Sequence, residues 1–394
     1  MAMTIYYVAY EFFQEGLGGE NHVWHVAEGL RTLGHHVVLF LPRNPGYHRE
    51  SSVEVRWFPA PGRGGLRAIL SNLLSLLFLL GVCARRRPDL FYLRESLVFP
   101  APVLVARLFR VPMVVEVNND DLYERSDRGS VTAPLRWHQR SLAGWASAWI
   151  FVTERLKDSF ARRYPSAAGR MHVVSNGTDP EVMFSEDQKR CLEGLGLDPT
   201  AFYICFVGTF LAHQGLSVLI ESATVLLREL QSLHFLLVGD GPFGEAVRNE
   251  VRTRGLAAHF HFSGRVSYAE LRRYINAADL CVAPFPEMRN ARIGVSPLKL
   301  YDYLACGKPV VVTDIPGAGD IVREHRLGLV VGPDDPVALA KAIQALYSDD
   351  DLRHECARQA RQVVLDRFDW RILVRRIAAI CEEATSAGSE TMAR

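Results

Sequence analysis

The 394-residue sequence carries almost no net charge: 45 basic and 44 acidic side chains leave +1 at neutral pH. Binding nucleic acid through its phosphates needs a basic excess, so no nucleic-acid partner is expected. Paired cysteine motifs are missing too. The seven cysteines are Cys83, Cys191, Cys205, Cys281, Cys306, Cys356 and Cys381, an odd count with no CxxC. That argues against a disulfide framework or a zinc ribbon and fits a reducing, cytoplasmic setting. No apolar stretch is long enough for a spanning helix, which wants about 20 mostly apolar residues. The uncharged run Ala68 to Ala84 is 17 residues and is interrupted by Ser71, Asn72 and Ser75. The opening MAMTIYYVAY has neither a basic n-region nor a cleavage site, so no signal peptide is expected. Low-complexity sequence is confined to the polar tail Glu382–Arg394. With 48% hydrophobic and 23% charged residues, disorder, collagen and coiled coil are excluded.

At roughly 150 residues per domain the length implies two or three domains. The charge is divided unevenly between them. Residues 1–180 hold 21 Lys and Arg against 16 Asp and Glu, a net of +5, and residues 181–394 hold 24 against 28, a net of −4. In the first part, Ile5–Ala9, Val37–Leu41, Val53–Phe58, Leu90–Leu93, Met113–Val117, Ala148–Val152 and Met171–Val174 are short, near-continuously apolar runs. These read as strands of a parallel sheet buried on both faces. Helical patterns at Asn21–Leu33, Leu66–Arg86, Ala101–Phe109, Pro134–Ala146 and Glu154–Arg163 alternate with them, the signature of a doubly wound α/β sheet. The pattern restarts at Tyr203–Val207, Phe235–Val238, His259–Phe262, Leu280–Ala283, Pro309–Thr313 and Gly328–Val331. Helices are expected between them at Gly215–Leu230, Gly244–Arg254, Tyr268–Asn276, Pro297–Ala305 and Pro336–Ser348. The seam falls in the polar segment Asp179–Lys189. Open sheets of this kind bind ligands beyond the carboxyl ends of their strands, so the chemistry belongs in the loops after strands.

Four such loops stand out. Gly16-Leu17-Gly18-Gly19-Glu20 comes after the first strand and opens a helix, a setting in which glycines and free amides can meet a phosphate, although the spacing is not GxGxxG. Gly208-Thr209-Phe210, with His213-Gln214-Gly215 opening the next helix, repeats the geometry. Gly239-Asp240-Gly241-Pro242, taken alone, reads as a tight turn with glycine at positive φ. The most informative stretch runs from Ile293 to Pro309. Ser296 is expected as the N-cap and Pro297 at the first helical position, so the amides of Leu298 and Lys299 and the Lys299 charge can face an anion. Asp302, one turn beyond Leu298, is within reach of vicinal hydroxyls. An ordinary capped core helix with one surface aspartate fits the same residues.

Taken in order, these motifs resemble the retaining glycosyltransferases of the GT-B fold, in particular nucleotide-sugar family 4, and the resemblance runs from Ile5 to about Phe368. Gly18-Gly19 with Leu33-Gly34-His35-His36-Val37 is similar to the family's opening, and Val174-Ser175-Asn176-Gly177-Thr178-Asp179 to its interdomain signature. Phe206-Val207-Gly208, Leu237 to Pro242, Phe262 to Val266 and Ala278 to Pro284 resemble its second-domain turns. Ser296-Pro297-Leu298-Lys299, Asp302 to Ala305 and Gly307 to Val310 resemble the helix that holds the donor. The resemblance implies two Rossmann-like domains, about 1–180 and 181–367, with a C-terminal helix within 368–394 crossing back onto the first. Asp369 can cap that helix, and Ile372, Ile377 and Ile380 can line a buried face.

The resemblance also implies roles for the site residues. Asp302 stands where the family usually has the second glutamate of its E-x7-E motif, which holds the ribose, and Gly294 stands where the first would be. Thr209 and Gln214 occupy positions often held by an arginine and a lysine that clamp the diphosphate. Asn118 stands where many members have a histidine beside the donor sugar. The phosphate hold then falls to Lys299, Arg292 and helix dipoles, together with Gly18, Gly19, Gly208 and the amides after Pro297, and the base to backbone near Gly264, Arg265 and Val266. Asn118, Asn119, Asp120 and Glu20 are the candidates for holding donor sugar and acceptor. No metal or other cofactor is expected beyond the nucleotide-sugar co-substrate. Two other readings fit the departures: a sugar-nucleotide 2-epimerase of the same fold, for which Glu20, Glu116, Asp120 and Asp121 are the available carboxylates, and an inactive nucleotide-binding scaffold. Finally, the helix at 66–86 is apolar well beyond one face and is flanked by Arg63, Arg67 and Arg85-Arg86-Arg87. It is expected either in the core or as an inner-leaflet contact that serves a lipid-linked acceptor.

Overall fold

The computed structural model of the chain describes residues 2–11, 18–44, 47, 49–61, 64–94, 100–120, 133–288 and 290–393. Gly16, Leu17, Arg63 and Asp121, candidates by sequence, lie outside these residues. The chain divides into two compact units, Met1–Ser175 with Trp370–Arg394, and Asn176–Asp369.

Unit 1 is built on a seven-stranded sheet: β1 (Thr4–Val8), β2 (His36–Pro42), β3 (Glu54–Phe58), β4 (Leu90–Arg94), β5 (Met113–Val117), β6 (Ala148–Phe151) and β7 (Met171–Val173). Unit 2 carries a six-stranded sheet: β8 (Phe202–Val207), β9 (Leu233–Val238), β10 (Phe260–Gly264), β11 (Leu280–Ala283), β12 (Val310–Thr313) and β13 (Gly328–Val331). The orders are β3-β2-β1-β4-β5-β6-β7 and β10-β9-β8-β11-β12-β13, and neighbouring strands pair in parallel. In both sheets the chain reverses its direction of winding beside the first strand, between β1 and β4 and between β8 and β11. These are the switch points where doubly wound sheets open for ligands.

The near-continuous apolar runs result from burial on both faces. In β8, Tyr203, Cys205 and Val207 enter one apolar cluster, while Ile204 and Phe206 enter another on the opposite face. All seven cysteines are buried free thiols.

Unit 1 is closed by the C-terminal helix Trp370–Ala393. Leu373, Val374, Ile377, Ile380, Cys381 and Ala384 are buried on it, and Ile372 is half-buried. The helix packs along α1 (Gly18–Thr32). The Trp370 ring stands edge-on to His22, with centroids 5.1 Å apart, and stacks on His25 at 5.5 Å.

α2 (Gly64–Arg85) turns its polar residues inward. Ser71 and Ser75 are buried, and the Ser75 hydroxyl lies 2.7 Å from that of Tyr10. Ile69, Leu73 and Leu77, four residues apart on one face, are 67%, 53% and 59% exposed. The neighbouring α3 (Ala101–Leu108) also exposes Leu104 and Leu108. The run therefore has a buried face through Leu79, Val82 and Cys83, and an apolar face that no described residue covers.

Where α1 meets the C-terminal helix, the two backbones approach at Gly29. A Cβ there would lie 2.8 Å from both methyl carbons of Val374. Valine is held to nearly one rotamer in a helix, so the clash is not relieved by rotation. Overpacking costs about 1–3 kcal/mol, against about 1 kcal/mol of helix propensity gained by alanine. Gly29→Ala should lower the denaturation midpoint, and adding Val374→Ala should destabilise it less than the separate effects predict, as read by urea unfolding of the four proteins of the cycle.

Candidate functional site

In unit 2 the carboxyl ends of three strands are tied together by their glycines. The Gly208 amide donates to Val238 O at 2.9 Å, and the Gly239 amide to Gly264 O at 2.9 Å. Gly208 has φ +143°, and a Cβ on it would come within 2.9 Å of Lys299 Nζ, so glycine is required where the lysine passes. Thr209 and Gln214 are half-buried beyond this point, and Gln214 closes a short 3-10 turn, Ala212–Gln214.

Lys299 lies in the first turn of the helix Leu298–Ala305 and is 9% exposed. Its ammonium donates to Gln214 Oε1 at 2.6 Å and faces the rings of Phe206, at 4.0 Å, and Phe285, at 5.3 Å. No carboxylate among the described residues pairs with it. Burial therefore pushes its pKa down to about 7, opposed only by the Cys205 thiol.

Asp302, one turn along the same helix, is 4% exposed. Thr178 Oγ1 donates to its Oδ1 at 2.6 Å, and Tyr268 OH to the same oxygen at 2.9 Å. Among the described residues nothing donates to Oδ2. Burial raises the carboxyl to about 7 against the lowering effect of the two hydroxyls. A cation lacking an anion and a carboxyl lacking a cation thus stand on one helix without neutralising each other, which suits a polar, partly anionic ligand.

The start of this helix differs from expectation. Its N-cap is Pro297, and Ser296 makes no capping bond. The Ser296 hydroxyl is engaged elsewhere: it accepts from the Asn176 amide at 2.8 Å and lies 2.9 Å from Tyr301 OH, while Asn176 Nδ2 donates to Ser296 O at 2.6 Å. The Leu298 side chain is half-buried beside it. Gly294, with φ +69°, ends the short helix Asn290–Ile293, and Arg292 is exposed. Arg265 is exposed next to Gly264, whereas Val266 packs against the core.

Unit 1 gathers its polar groups at the carboxyl ends of β4 and β5. Glu116 is 1% exposed. Tyr92 OH donates to its Oε2 at 2.6 Å and Asn118 Nδ2 to its Oε1 at 2.5 Å, with His22 Nε2 2.7 Å and Arg94 3.7 Å from Oε1. Burial works to raise the Glu116 carboxyl, but His22, Arg94 and the Tyr92 hydroxyl outweigh it and hold it at about 2. Arg94 also pairs with Glu11 at 2.5 Å, and this pair lies against Gly19, where a Cβ would meet Glu11 Oε2 at 2.6 Å. Gly18, the first residue of α1, is exposed.

The remaining candidates are tied into the scaffold. Asp120 is buried and makes a two-pronged pair with Arg163, at 3.1 and 2.7 Å. Glu20 is buried, accepts from Tyr47 OH at 2.5 Å and lies 3.6 Å from Arg49. Asn119 is half-buried between Asn118 and Asp120. The structure therefore brings Gly208, Gln214, Lys299 and Asp302 together in unit 2, and Asn118 to Glu116 in unit 1. Sequence reasoning missed Thr178 and Tyr268 as partners of Asp302, and His22, Tyr92 and Arg94 as partners of Glu116. Thr178 lies within the interdomain motif and carried a signal; Tyr268, at the first position of its helix, carried none.

An unpaired buried cation costs stability until a ligand meets it. Lys299→Met should raise the stability of the unligated protein by about 1 kcal/mol at pH 6. In the wild type the folded pKa lies below the unfolded one, so stability contributed by this group rises with pH from about 7 to the usual lysine range. The advantage of the methionine variant should therefore shrink above pH 7, as read by thermal unfolding across that range.

Two family models match the chain, "Glycosyltransferase Family 4" over residues 17–182 and "Glycosyl transferases group 1" over 187–363. It is 25% identical to alpha-D-kanosaminyltransferase of Streptomyces kanamyceticus, over 72% of this chain and 73% of that protein. It is likewise 25% identical to phosphatidyl-myo-inositol mannosyltransferase of Mycobacterium leprae, over 95% of each. Among solved structures, sucrose-phosphate synthase of Thermosynechococcus elongatus superposes with a TM-score of 0.83 at 19% identity, over 98% of this chain and 99% of that one. Anabaena HepE, solved in complex with UDP-glucose, gives 0.75 at 18% identity, over 96% and 98%. With both units matched and the Rossmann-like sheets in place, the chain belongs to the family-4 glycosyltransferases of the GT-B fold.

Proposed function

We propose that the enzyme moves a hexosyl or N-acetylhexosaminyl unit from a UDP- or GDP-sugar to a glycan or lipid-linked acceptor of cell-surface polysaccharide or glycoconjugate synthesis. The anomeric configuration is retained and no metal is required. The observation that carries the donor half of this reading is Lys299, a buried ammonium at the end of β8 with a neutral amide oxygen and two ring faces for company. A diphosphate supplies the missing charge. Asp302 takes the ribose hydroxyls through Oδ2, its Oδ1 being held by Thr178 and Tyr268. Backbone near Gly264, Arg265 and Val266 takes the base, and the amides after Pro297 with Gly208 line the phosphates. The relatives named for kanosaminyl and mannosyl transfer, and the HepE complex with UDP-glucose, support a nucleotide-sugar donor.

The reaction is a front-face displacement. The bond from the anomeric carbon to the phosphate oxygen breaks while the acceptor oxygen bonds to the same face, and the acceptor's proton passes to the departing phosphate oxygen. Lys299 stabilises the charge that grows there, and the protein contributes positioning. Asn118 and Asn119 hold the sugar. Asp120 and Glu20, committed to Arg163 and to Tyr47 with Arg49, act by fixing the loop after β5 and the first turn of α1. Incubation with a radiolabelled nucleotide sugar and an extracted lipid fraction should release nucleotide, label the lipid and give an α-linked product from an α-donor, with no loss in EDTA. Asp302→Ala should weaken nucleotide binding by about 1.5–3 kcal/mol. A β-linked product refutes retention, and unchanged nucleotide binding refutes the ribose assignment. Nucleotide release without transfer favours the epimerase.

The acceptor half rests on α2. Its exposed Ile69, Leu73 and Leu77, with Leu104 and Leu108 on α3, form apolar surface beside exposed Arg85, Arg86, Arg87, Arg107 and Arg110. No helix among the described residues is long and apolar enough to cross a membrane. Apolar side chains rimmed by arginines suit peripheral contact with an anionic leaflet, each basic residue adding about 1 kcal/mol. The enzyme should sediment with anionic vesicles at low salt and less at high salt, and the pair Leu73→Glu with Leu77→Glu should abolish sedimentation. Absence from both anionic and neutral pellets would leave a soluble acceptor.

A further inference from the structure

The loop after β5 begins with Asn118, and the direction of its side-chain amide is fixed by chemistry. Asn118 Nδ2 donates to Glu116 Oε1 at 2.5 Å. Glu116 is ionised, because His22 and Arg94 hold its carboxyl at about 2 against the effect of burial. An ionised carboxylate can only accept, so the amide must face it with its NH2 group. The carbonyl oxygen of Asn118 then points away, and among the described residues nothing donates to it. Glu116 cannot swing aside to release the amide, since Tyr92 OH holds its other oxygen at 2.6 Å. Nor is the backbone free to turn: Val117, the residue between them, is fully buried at the end of β5.

We propose that Glu116 is a positioning residue that holds the Asn118 carbonyl oxygen outward, so that unit 1 selects a sugar presenting a hydrogen-bond donor there, a hydroxyl or an ammonium group. The selection rests on the reading of Asn118 as a donor-sugar contact; the lock on the amide does not. A sugar with a hydrogen, an ether or a carboxylate at that position leaves the carbonyl desolvated and unpaired, and is rejected for that reason.

Reversing the polarity of the pair separates positioning from packing. Glu116→Gln removes the charge that fixes the amide, and Asn118→Asp sets two carboxylates side by side. The double variant rebuilds the bond in the opposite sense: the new glutamine donates to the new aspartate while still accepting from Tyr92, and an acceptor oxygen again points outward. Nucleotide release from UDP-glucose, UDP-N-acetylglucosamine and GDP-mannose is measured for the four proteins, with UDP and GDP binding measured by calorimetry. For the sugar that is used, kcat/KM should fall about tenfold or more in each single variant and largely recover in the double. The affinity for bare nucleotide should stay constant throughout. Single variants as fast as the wild type, or a double variant no better than the singles, overturn the proposal.

A second readout needs no turnover. With nitrogen-labelled asparagine, the side-chain protons of Asn118 should resonate downfield and exchange slowly in the wild type, and lose both properties in Glu116→Gln. Unchanged resonances overturn the lock. A wild type that binds nucleotide but releases none from any of the three sugars overturns the transferase reading, and with it the selection, while the resonances still decide the lock.

Discussion

A parallel strand buried on both faces has no polar side on which to carry chemistry. Tyr203, Cys205 and Val207 fill one face of β8 and Ile204 and Phe206 the other, so the first position at which that strand can do anything but pack is Gly208. The same holds in unit 1, where β5 is buried throughout and turns polar functionally at Glu116 and Asn118. Strand ends, and the helix start that faces one of them, are consequently where Glu116, Asn118, Gly208 and Lys299 are found. The switch points beside β1 and β8 decide which strand ends are open to a ligand.

The two units treat buried charge in opposite ways. In unit 1 Glu116 is surrounded by His22, Arg94, Tyr92 and Asn118 and is stabilised in its charged form. A carboxylate held in its charged form from several sides can orient a neighbour without changing state. In unit 2 Lys299 and Asp302 are each destabilised in their charged forms and brought to the same titration range from opposite sides. That arrangement is costly in the empty protein and is relieved when a ligand brings charge. A fixed frame and a strained receptor are different tasks, and one chain divides them between its halves.

Much of the fold could be read from the residues because burial on both faces writes itself into sequence as short apolar runs. The thirteen expected strands are the thirteen found among the described residues, with ends displaced by no more than two residues. The helices Gln188–Leu195, Ala318–His325 and Asp350–Val363 went unread. Gln188–Leu195 is short and carries only Cys191 and Leu192 inward, and Asp350–Val363 only Cys356 and Ala360, too few apolar positions to mark a face. At α2 the pattern misled for the reverse reason. Ser71 and Ser75 are buried while Leu73 and Leu77 are exposed, so composition alone left the buried face undefined. In the site, Lys299 and Asp302 were legible because helix start and residue type coincide within one motif. The partners Tyr268, Tyr92 and His22 were not, because contacts between residues as far apart as Tyr268 and Asp302 leave no local pattern.

The departures from the family pattern at Thr209 and Gln214 acquire a physical meaning from where Lys299 points. The family often carries its second phosphate cation at the position of Gln214. Here the ammonium of Lys299 comes from a different element, passes Gly208 and stops 2.6 Å from the Gln214 side chain. A cation thus stands beside position 214 although residue 214 itself is neutral. Gln214 gains a role that a lysine could not fill, since an amide oxygen can accept from the incoming ammonium whereas a second cation would repel it. Gln214→Lys would bring a second ammonium against Lys299 and should weaken nucleotide binding, as read by calorimetry.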